Sequence, residues 1–137
     1  EGSTKEALKG GYIIKEASKA VADMILIASG SEVSLAIDAA KELENEGIAT
    51  RVVSMPCTDV FENQSKEYKE EVLPKAVRNR VAIEALSGFG WDKYTGLDGR
   101  VISMNSFGAS APQDQLFKKF GFTKENVVAT AKEVLNQ

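Results

Sequence analysis

The sequence predicts a three-layer α/β/α domain on a five-stranded, mostly parallel sheet with one antiparallel edge strand. Two observations support this fold class. Met24–Ala28 is apolar at every position, which is typical of a central parallel strand covered by helices on both faces. The stretch from Val33 to Leu43 then repeats apolar residues every three or four positions, as an amphipathic helix does, and Gly47 ends it. A buried strand followed by such a helix is the repeating unit of α/β proteins.

The other elements follow from short apolar runs and the residues that bound them. Four further strands are predicted at Tyr12–Ile14, Ala49–Ser54, Arg80–Ala85 and Val101–Met104. A short helix ends before Pro74, because the residue that precedes a proline avoids helical angles. Pro112 begins a helix that ends at Gly121, and Thr123 caps a last helix.

Length, composition and charge exclude several classes of protein. The chain has 137 residues, of which 43% are hydrophobic, enough for one domain with its own core. We expect a linker or N-terminal extension at 1–11 and a single domain at 12–137. The net charge of −3 argues against nucleic-acid binding, and no apolar run is long enough to cross a membrane. No export leader opens the chain, so we expect a cytoplasmic protein, and Glu1–Gly2–Ser3 without a methionine suggests part of a longer polypeptide.

The sequence contains no histidine and a single cysteine. It therefore lacks the commonest general base and the commonest metal ligand. Without a histidine or a second cysteine, Cys57 has no partner to activate it, and we expect a partly buried, inert thiol. The same objection applies to the serines at 29, 31, 106 and 110. We predict no catalytic, cofactor-binding or metal-binding residue in this chain.

The turn between the central strand and its helix is the candidate anion-binding site. A helix N-terminus offers unpaired N–H groups that bind phosphates and carboxylates. The alternative is that Ser31 caps the helix and Glu32 completes its first turn. No nucleotide-binding glycine motif accompanies the turn. The residues of this candidate site are Ser29, Gly30, Ser31 and Glu32.

Two other groups of residues have both a functional and a structural interpretation. Oxygen-bearing side chains are predicted at the carboxyl ends of the strands, where they could hold a hard cation, although such acids are usually solvated or paired with lysines. They are Glu32, Asp59, Glu84 and Ser106. The aromatic residues Phe89, Trp91 and Tyr94 lie in a glycine-rich segment, where they could stack on a ligand. Such a segment more often fills a core or contacts another domain.

Several short motifs occur in order along nearly the whole chain. They are Gly10–Gly11–Tyr12, A-S-G-S-E-V at 28–33, V-V-S-M-P at 52–56, V-L-P at 72–74, F-G-A-S-A-P at 107–112 and F-G-F-T at 120–123. In this combination the chain resembles the C-terminal domain of transketolases. The deoxyxylulose-phosphate synthases and the pyruvate dehydrogenase β subunits share the domain type but match these motifs less well, and they stay an alternative family.

The resemblance implies a function for the parent enzyme more than for this chain. Transketolases transfer a two-carbon ketol unit between sugar phosphates in the pentose phosphate pathway, with thiamine diphosphate and a divalent cation, Mg²⁺ or Ca²⁺. In that family the cofactor and the sugar phosphates bind to the first two domains, across the dimer interface. The resemblance thus implies a non-catalytic structural and dimer-assembly module that holds no cofactor itself.

The partners implied are the other domains of the same transketolase chain and its homodimer partner, with neither nucleic acid nor membrane. We expect inter-domain contacts from residues at the start of the domain, in the glycine-rich aromatic segment and in the F-G-A-S-A-P motif. These residues are Tyr12, Phe89, Trp91, Tyr94, Phe107, Ser110 and Pro112. The alternative from a different class is a regulatory module that binds an anion at Gly30–Ser31–Glu32.

Overall fold

The computed structural model describes residues 9–30, 32–84, 92–95, 99–103 and 123–136. The strands in these ranges are β1 (Tyr12–Lys15), β2 (Met24–Ala28), β3 (Thr50–Ser54), β4 (Arg80–Glu84) and β5 (Arg100–Ser103). The helices are α1 (Glu32–Asn45), α2 (Thr58–Glu62), α3 (Lys66–Val72), α4 (Asp92–Thr95) and α5 (Lys124–Leu135). None of these helices is both long enough and apolar enough to span a bilayer.

The five strands form one sheet in the order β1-β3-β2-β4-β5. β1 runs antiparallel to β3, and every other neighbouring pair is parallel. The predicted fold class is confirmed, including the antiparallel edge strand. β2 lies in the middle of the sheet, between β3 and β4, as its apolar sequence predicts.

The core has two parts, one on each face of the sheet. All five residues of β2 are fully buried, and they alternate between the two faces as a strand requires. Met24, Leu26 and Ala28 pack with α1 and α5. Ile25 and Ile27 pack with residues of α2, α3 and α4. The sheet is therefore the middle of three layers.

Local sequence signals fix the helix ends. Gly47 has a φ of 86°, and its N–H donates to the Glu44 carbonyl at 3.0 Å. The Ile48 N–H donates to the Leu43 carbonyl at 3.0 Å, which completes a Schellman motif. At the start of α5 the Thr123 hydroxyl accepts the Asn126 N–H at 3.2 Å. Both ends agree with the sequence prediction.

The structure also differs from the sequence prediction. α2 was not predicted, because its five residues bury only Phe61 and show no helical period. The helix expected from Pro112 to Gly121 lies outside the described residues. The boundary at Tyr12 stays a prediction, although Gly10 and Gly11 are already buried.

Candidate functional site

In the described part of the turn between β2 and α1, two N–H groups are already bonded to carbonyls of the turn. Gly30 is exposed with a φ of 58°, and Ser31 lies outside the described residues. The Glu32 N–H donates to the Ser29 carbonyl and the Val33 N–H to the Gly30 carbonyl, both at 3.2 Å. The carboxyl-bearing side chain of Glu32 is itself buried in this first turn. Anion binding here stays a prediction, and these contacts do not favour it.

The acidic residues at the carboxyl edge of the sheet do not gather into a site in the described ranges. Among those residues, no group of three or more histidine, cysteine, aspartate or glutamate side chains could hold a metal ion. Asp59 is exposed on α2, whereas Glu32 is buried at the start of α1. Ser106 and the side chain of Glu84 lie outside the part that the structure describes.

Cys57 is exposed, so the expectation of a partly buried thiol was wrong. The residue lies in the turn between β3 and α2, beyond the edge of the sheet. Its backbone is fixed, since its N–H donates to the Gly10 carbonyl at 3.0 Å and its carbonyl accepts the Phe61 N–H at 3.1 Å. These bonds hold the main chain against the domain and leave the side chain in solvent.

Tyr94, predicted as an inter-domain contact, is 5% exposed and packs inside the domain. Its ring lies edge-on to Phe61 at 6.0 Å, and Phe61 lies edge-on to Tyr68 at 6.2 Å. The Tyr94 hydroxyl donates to a Glu62 carboxylate oxygen at 2.6 Å. Burial, together with this carboxylate, raises the pKa of Tyr94. Little of the ring remains for another domain, and Phe89 and Trp91 lie outside the described residues.

A groove of about 840 Å³ borders Tyr94. The described residues that line it are Phe61, Glu62, Lys66, Glu67, Lys69, Glu70, Leu73, Lys75, Arg80 and Tyr94. Acidic and basic side chains both surround its apolar residues. The groove therefore favours neither an anionic nor a cationic ligand. The Arg80 guanidinium is already used, since it donates to the carbonyls of Leu73, Pro74, Val77 and Tyr94.

An ion pair between buried Arg51 and exposed Glu16, which sequence reasoning missed, ties β3 to the segment after β1. Arg51 on β3 donates to both Glu16 carboxylate oxygens, at 2.8 and 3.1 Å. It also donates to the carbonyls of Glu71 and Val72, at the end of α3. Partial burial works to raise the pKa of Glu16, but hydrogen bonds from Arg51 and the Ala17 N–H outweigh it and lower that pKa. The sequence signal for this pair was the charged Arg51 within the otherwise uncharged strand β3.

Of the remaining predicted contact residues, Tyr12 lies on β1, at the edge of the sheet, and is half-buried. Phe107, Ser110 and Pro112 lie outside the described residues. Only Tyr12 and Tyr94 of the predicted contact residues are described, and the inter-domain role of the set stays a prediction.

Comparison with known proteins gives one consistent result. A family model described as the transketolase-like TK C-terminal domain matches residues 10–123. Transketolase 2 of Aliivibrio fischeri is 58% identical over 127 residues, which are 93% of this chain and 19% of that protein. Transketolase 2 of Pasteurella multocida is 57% identical over 129 residues, with the same coverage of both chains.

Solved structures agree with the sequence comparison. The transketolase from Leishmania mexicana has a TM-score of 0.86 at 43% identity, covering 98% of this chain and 19% of that one. A split gene transketolase, an inactive beta4 tetramer, has a TM-score of 0.67 at 28% identity, covering 94% of this chain and 43% of that one. The chain spans 19% of the length of the curated relatives it matches. It belongs to the transketolase C-terminal domain family.

Proposed function

We propose that this chain is the third, C-terminal domain of a transketolase that transfers a two-carbon ketol unit between sugar phosphates. The observation that supports this most is the family match over residues 10–123, joined to 58% identity with a transketolase of which the chain spans 19%. The names of the matched relatives favour transketolase over the other thiamine-diphosphate enzymes. A cytoplasmic location is part of the same proposal.

Within that enzyme the domain acts as a structural and dimer-assembly module. The whole sequence contains no histidine, so it cannot supply an imidazole to sugar-phosphate chemistry. The described polar side chains at its centre bond within the domain. Arg51 donates to Glu16, Arg80 donates to four backbone carbonyls, and Tyr94 donates to Glu62. Thiamine diphosphate and the divalent cation belong to the preceding domains, and the domain's partners are those domains and the second subunit.

Activity measurements on two lengths of polypeptide test the proposal. Ketol transfer is assayed with thiamine diphosphate and Mg²⁺, once for this chain alone and once for the longer polypeptide that contains it. We expect no turnover from the chain alone and full activity from the longer polypeptide. Turnover by the chain alone would refute the non-catalytic role, and an inactive longer polypeptide would refute the transketolase assignment.

The proposed inter-domain contacts need a separate experiment. Phe107→Ala and Trp91→Ala in the longer polypeptide should weaken its dimer, as measured by sedimentation at decreasing protein concentration. Val21→Ala is the control, because Val21 is 63% exposed in the connection between β1 and β2. Unchanged assembly and unchanged stability in both variants would remove these residues from the interface.

A further inference from the structure

The segment that connects β1 to β2 lies against the amino end of β3, and we call residues 16–23 the strap. Among the described residues, no backbone–backbone hydrogen bond joins residues 17–22 to the rest of the domain. Of the strap's apolar side chains, Ala22 is buried, whereas Val21 is 63% exposed. A segment with so few buried contacts is among the first parts of a protein to open. Side chains must therefore provide most of the polar attachment of the strap.

Three carboxylates provide this attachment. In each of them, a single oxygen accepts one hydrogen bond from the strap and one from residues 49–51, at the amino end of β3. The three bridges, with distances between 2.8 and 3.1 Å, are Ala17–Glu16–Arg51, Ser18–Glu44–Thr50 and Lys19–Asp23–Ala49. In the middle bridge, Glu44 Oε2 accepts the Ser18 N–H at 3.1 Å and the Thr50 N–H at 2.8 Å. Three successive strap residues are thus linked to three successive residues of the neighbouring strand.

Basic groups balance these carboxylates. One cation acts on each carboxylate, namely Arg51 on Glu16, Lys15 on Glu44 and Lys19 on Asp23. Arg78 also lines the surface groove that Asp23 borders. Protonation of the carboxylates would leave these cations without counter-charges. It would also weaken the bridges, because hydrogen bonds to an ionised acceptor are the stronger ones.

We propose that the three carboxylates form an acid-sensitive clamp, which holds the strap closed while they are ionised and releases it when they are protonated. The parallel strands β2, β3, β4 and β5 stay paired in the open form, because their backbone ladders do not involve these carboxylates. Opening uncovers Ala22 and frees the N–H groups of Ala49 and Thr50, which are residues without exposed surface in the closed form. The fold thus contains a conformational switch at one end of its sheet.

The pKa directions agree with such a clamp. In the folded protein all three carboxyl groups have a pKa below its ordinary value, which is 4.5 for Glu16 and Glu44 and 3.8 for Asp23. The leading cause is the Ser18 hydroxyl for Glu44 and the Ala49 N–H for Asp23, while at Glu16 burial acts in the opposite direction and is outweighed by hydrogen bonds, first that from Arg51. Because the folded-state pKa values are the lower ones, the clamp is fully present above pH 4.5 and is lost as the pH falls through the folded-state values.

Amide hydrogen exchange of this chain, followed by NMR as the pH is lowered, tests the clamp. The reporters are the N–H groups of Ala49 and Thr50, which are bonded to the carboxylates. Ile25 is the reference, because it is buried and its N–H donates to the Asn79 carbonyl at 2.9 Å. After correction for intrinsic exchange, protection of both reporters should fall at least about tenfold between about pH 6 and about pH 3, with Ile25 unchanged. Equal losses at all three amides, or constant protection of the reporters, would overturn the inference.

Neutral substitutions imitate the protonated clamp at neutral pH. The clamp variant combines Glu16→Gln, Asp23→Asn and Glu44→Gln. The control variant makes the same change of charge away from the strap, with Asp38→Asn, Glu42→Gln and Glu46→Gln. It is closely matched, since Glu42 and Glu46 are also ion-paired, with Lys124 and Lys132. Circular dichroism first checks that both variants are folded.

Trypsin then measures how often the strap opens, because cleavage after Lys19 follows the open fraction when opening and closing are fast. In the clamp variant this cleavage, followed by mass spectrometry, should be at least about tenfold faster than in the parent chain, and in the control variant it should be unchanged. Cleavage after Lys69, on α3, should stay slow in all three proteins. Acceleration at both lysines would mean that the carboxylates stabilise the whole domain and would contradict a local clamp, and an unchanged rate after Lys19 would refute the clamp itself.

Discussion

Replacing Gly10 by alanine tests whether the residues directly before β1 are part of the folded domain. At the Gly10 φ of 84°, the left-handed backbone of an alanine costs about 1–2 kcal/mol of stability. Its Cβ would also lie 2.3 Å from the Cys57 carbonyl oxygen and 2.4 Å from the Phe61 nitrogen. Both are backbone atoms, which cannot rotate away, and forced overlaps of this kind cost about 1–3 kcal/mol. We therefore expect Gly10→Ala to lower the free energy of unfolding by about 2–5 kcal/mol.

Gly47→Ala is the matched control. Gly47 has nearly the same φ, 86°, but no heavy atom lies within 4 Å of the added Cβ. Only the backbone cost applies, so the expected loss is about 1–2 kcal/mol. Both variants are measured by urea unfolding of the chain, followed by far-ultraviolet circular dichroism. Equal losses of unfolding free energy in the two variants would refute the close packing of Gly10 on α2.

Three further outcomes follow from the contacts. Arg51→Met should cost about 2–3 kcal/mol in urea unfolding, because two backbone carbonyls lose a charged donor. Glu16→Gln, at a side chain that is 55% exposed, should cost at most about 1 kcal/mol, and the reverse order would contradict the network. The Ala49 N–H and then the Lys19 ammonium lower the pKa of Asp23 from its ordinary 3.8. Asp23 therefore has a lower pKa in the folded state than in the unfolded chain. The stability that its ionised carboxylate contributes is present above pH 3.8 and is lost as the pH falls through the folded-state pKa. Asp23→Asn should therefore show a smaller loss of stability on acidification than the parent, and identical acid curves would refute this. Titration calorimetry with millimolar phosphate should show no heat from the turn between β2 and α1, where two first-turn amides are already bonded; saturable heat would restore anion binding.

The elements that could be predicted from sequence are those whose local signals agree with their tertiary environment. β2 is apolar throughout because both of its faces are covered, and that pattern placed it at the centre of the sheet. Gly47 and Thr123 mark helix ends through backbone and side-chain hydrogen bonds that need only neighbouring residues. The order of these elements was sufficient for the fold class.

What could not be predicted depends on contacts between residues distant in sequence. Arg51 is buried inside β3 because Glu16, 35 residues away, pairs with it. α2 is stabilised by the packing of Phe61 between two tyrosines, which no local period reveals. Cys57 is exposed because hydrogen bonds to the backbone of Gly10 and Phe61 hold its main chain against the domain and leave its side chain in solvent. Burial at such turns is decided by tertiary structure.

The dimer dissociation constant of the longer polypeptide tests the assembly role most directly. It is measured by analytical ultracentrifugation, with residues 12–137 present and with them removed. A structural and dimer-assembly module predicts a weaker dimer after removal, with thiamine diphosphate still bound by the remaining domains once they are paired. A dissociation constant that does not change on removal would contradict the role proposed for this domain.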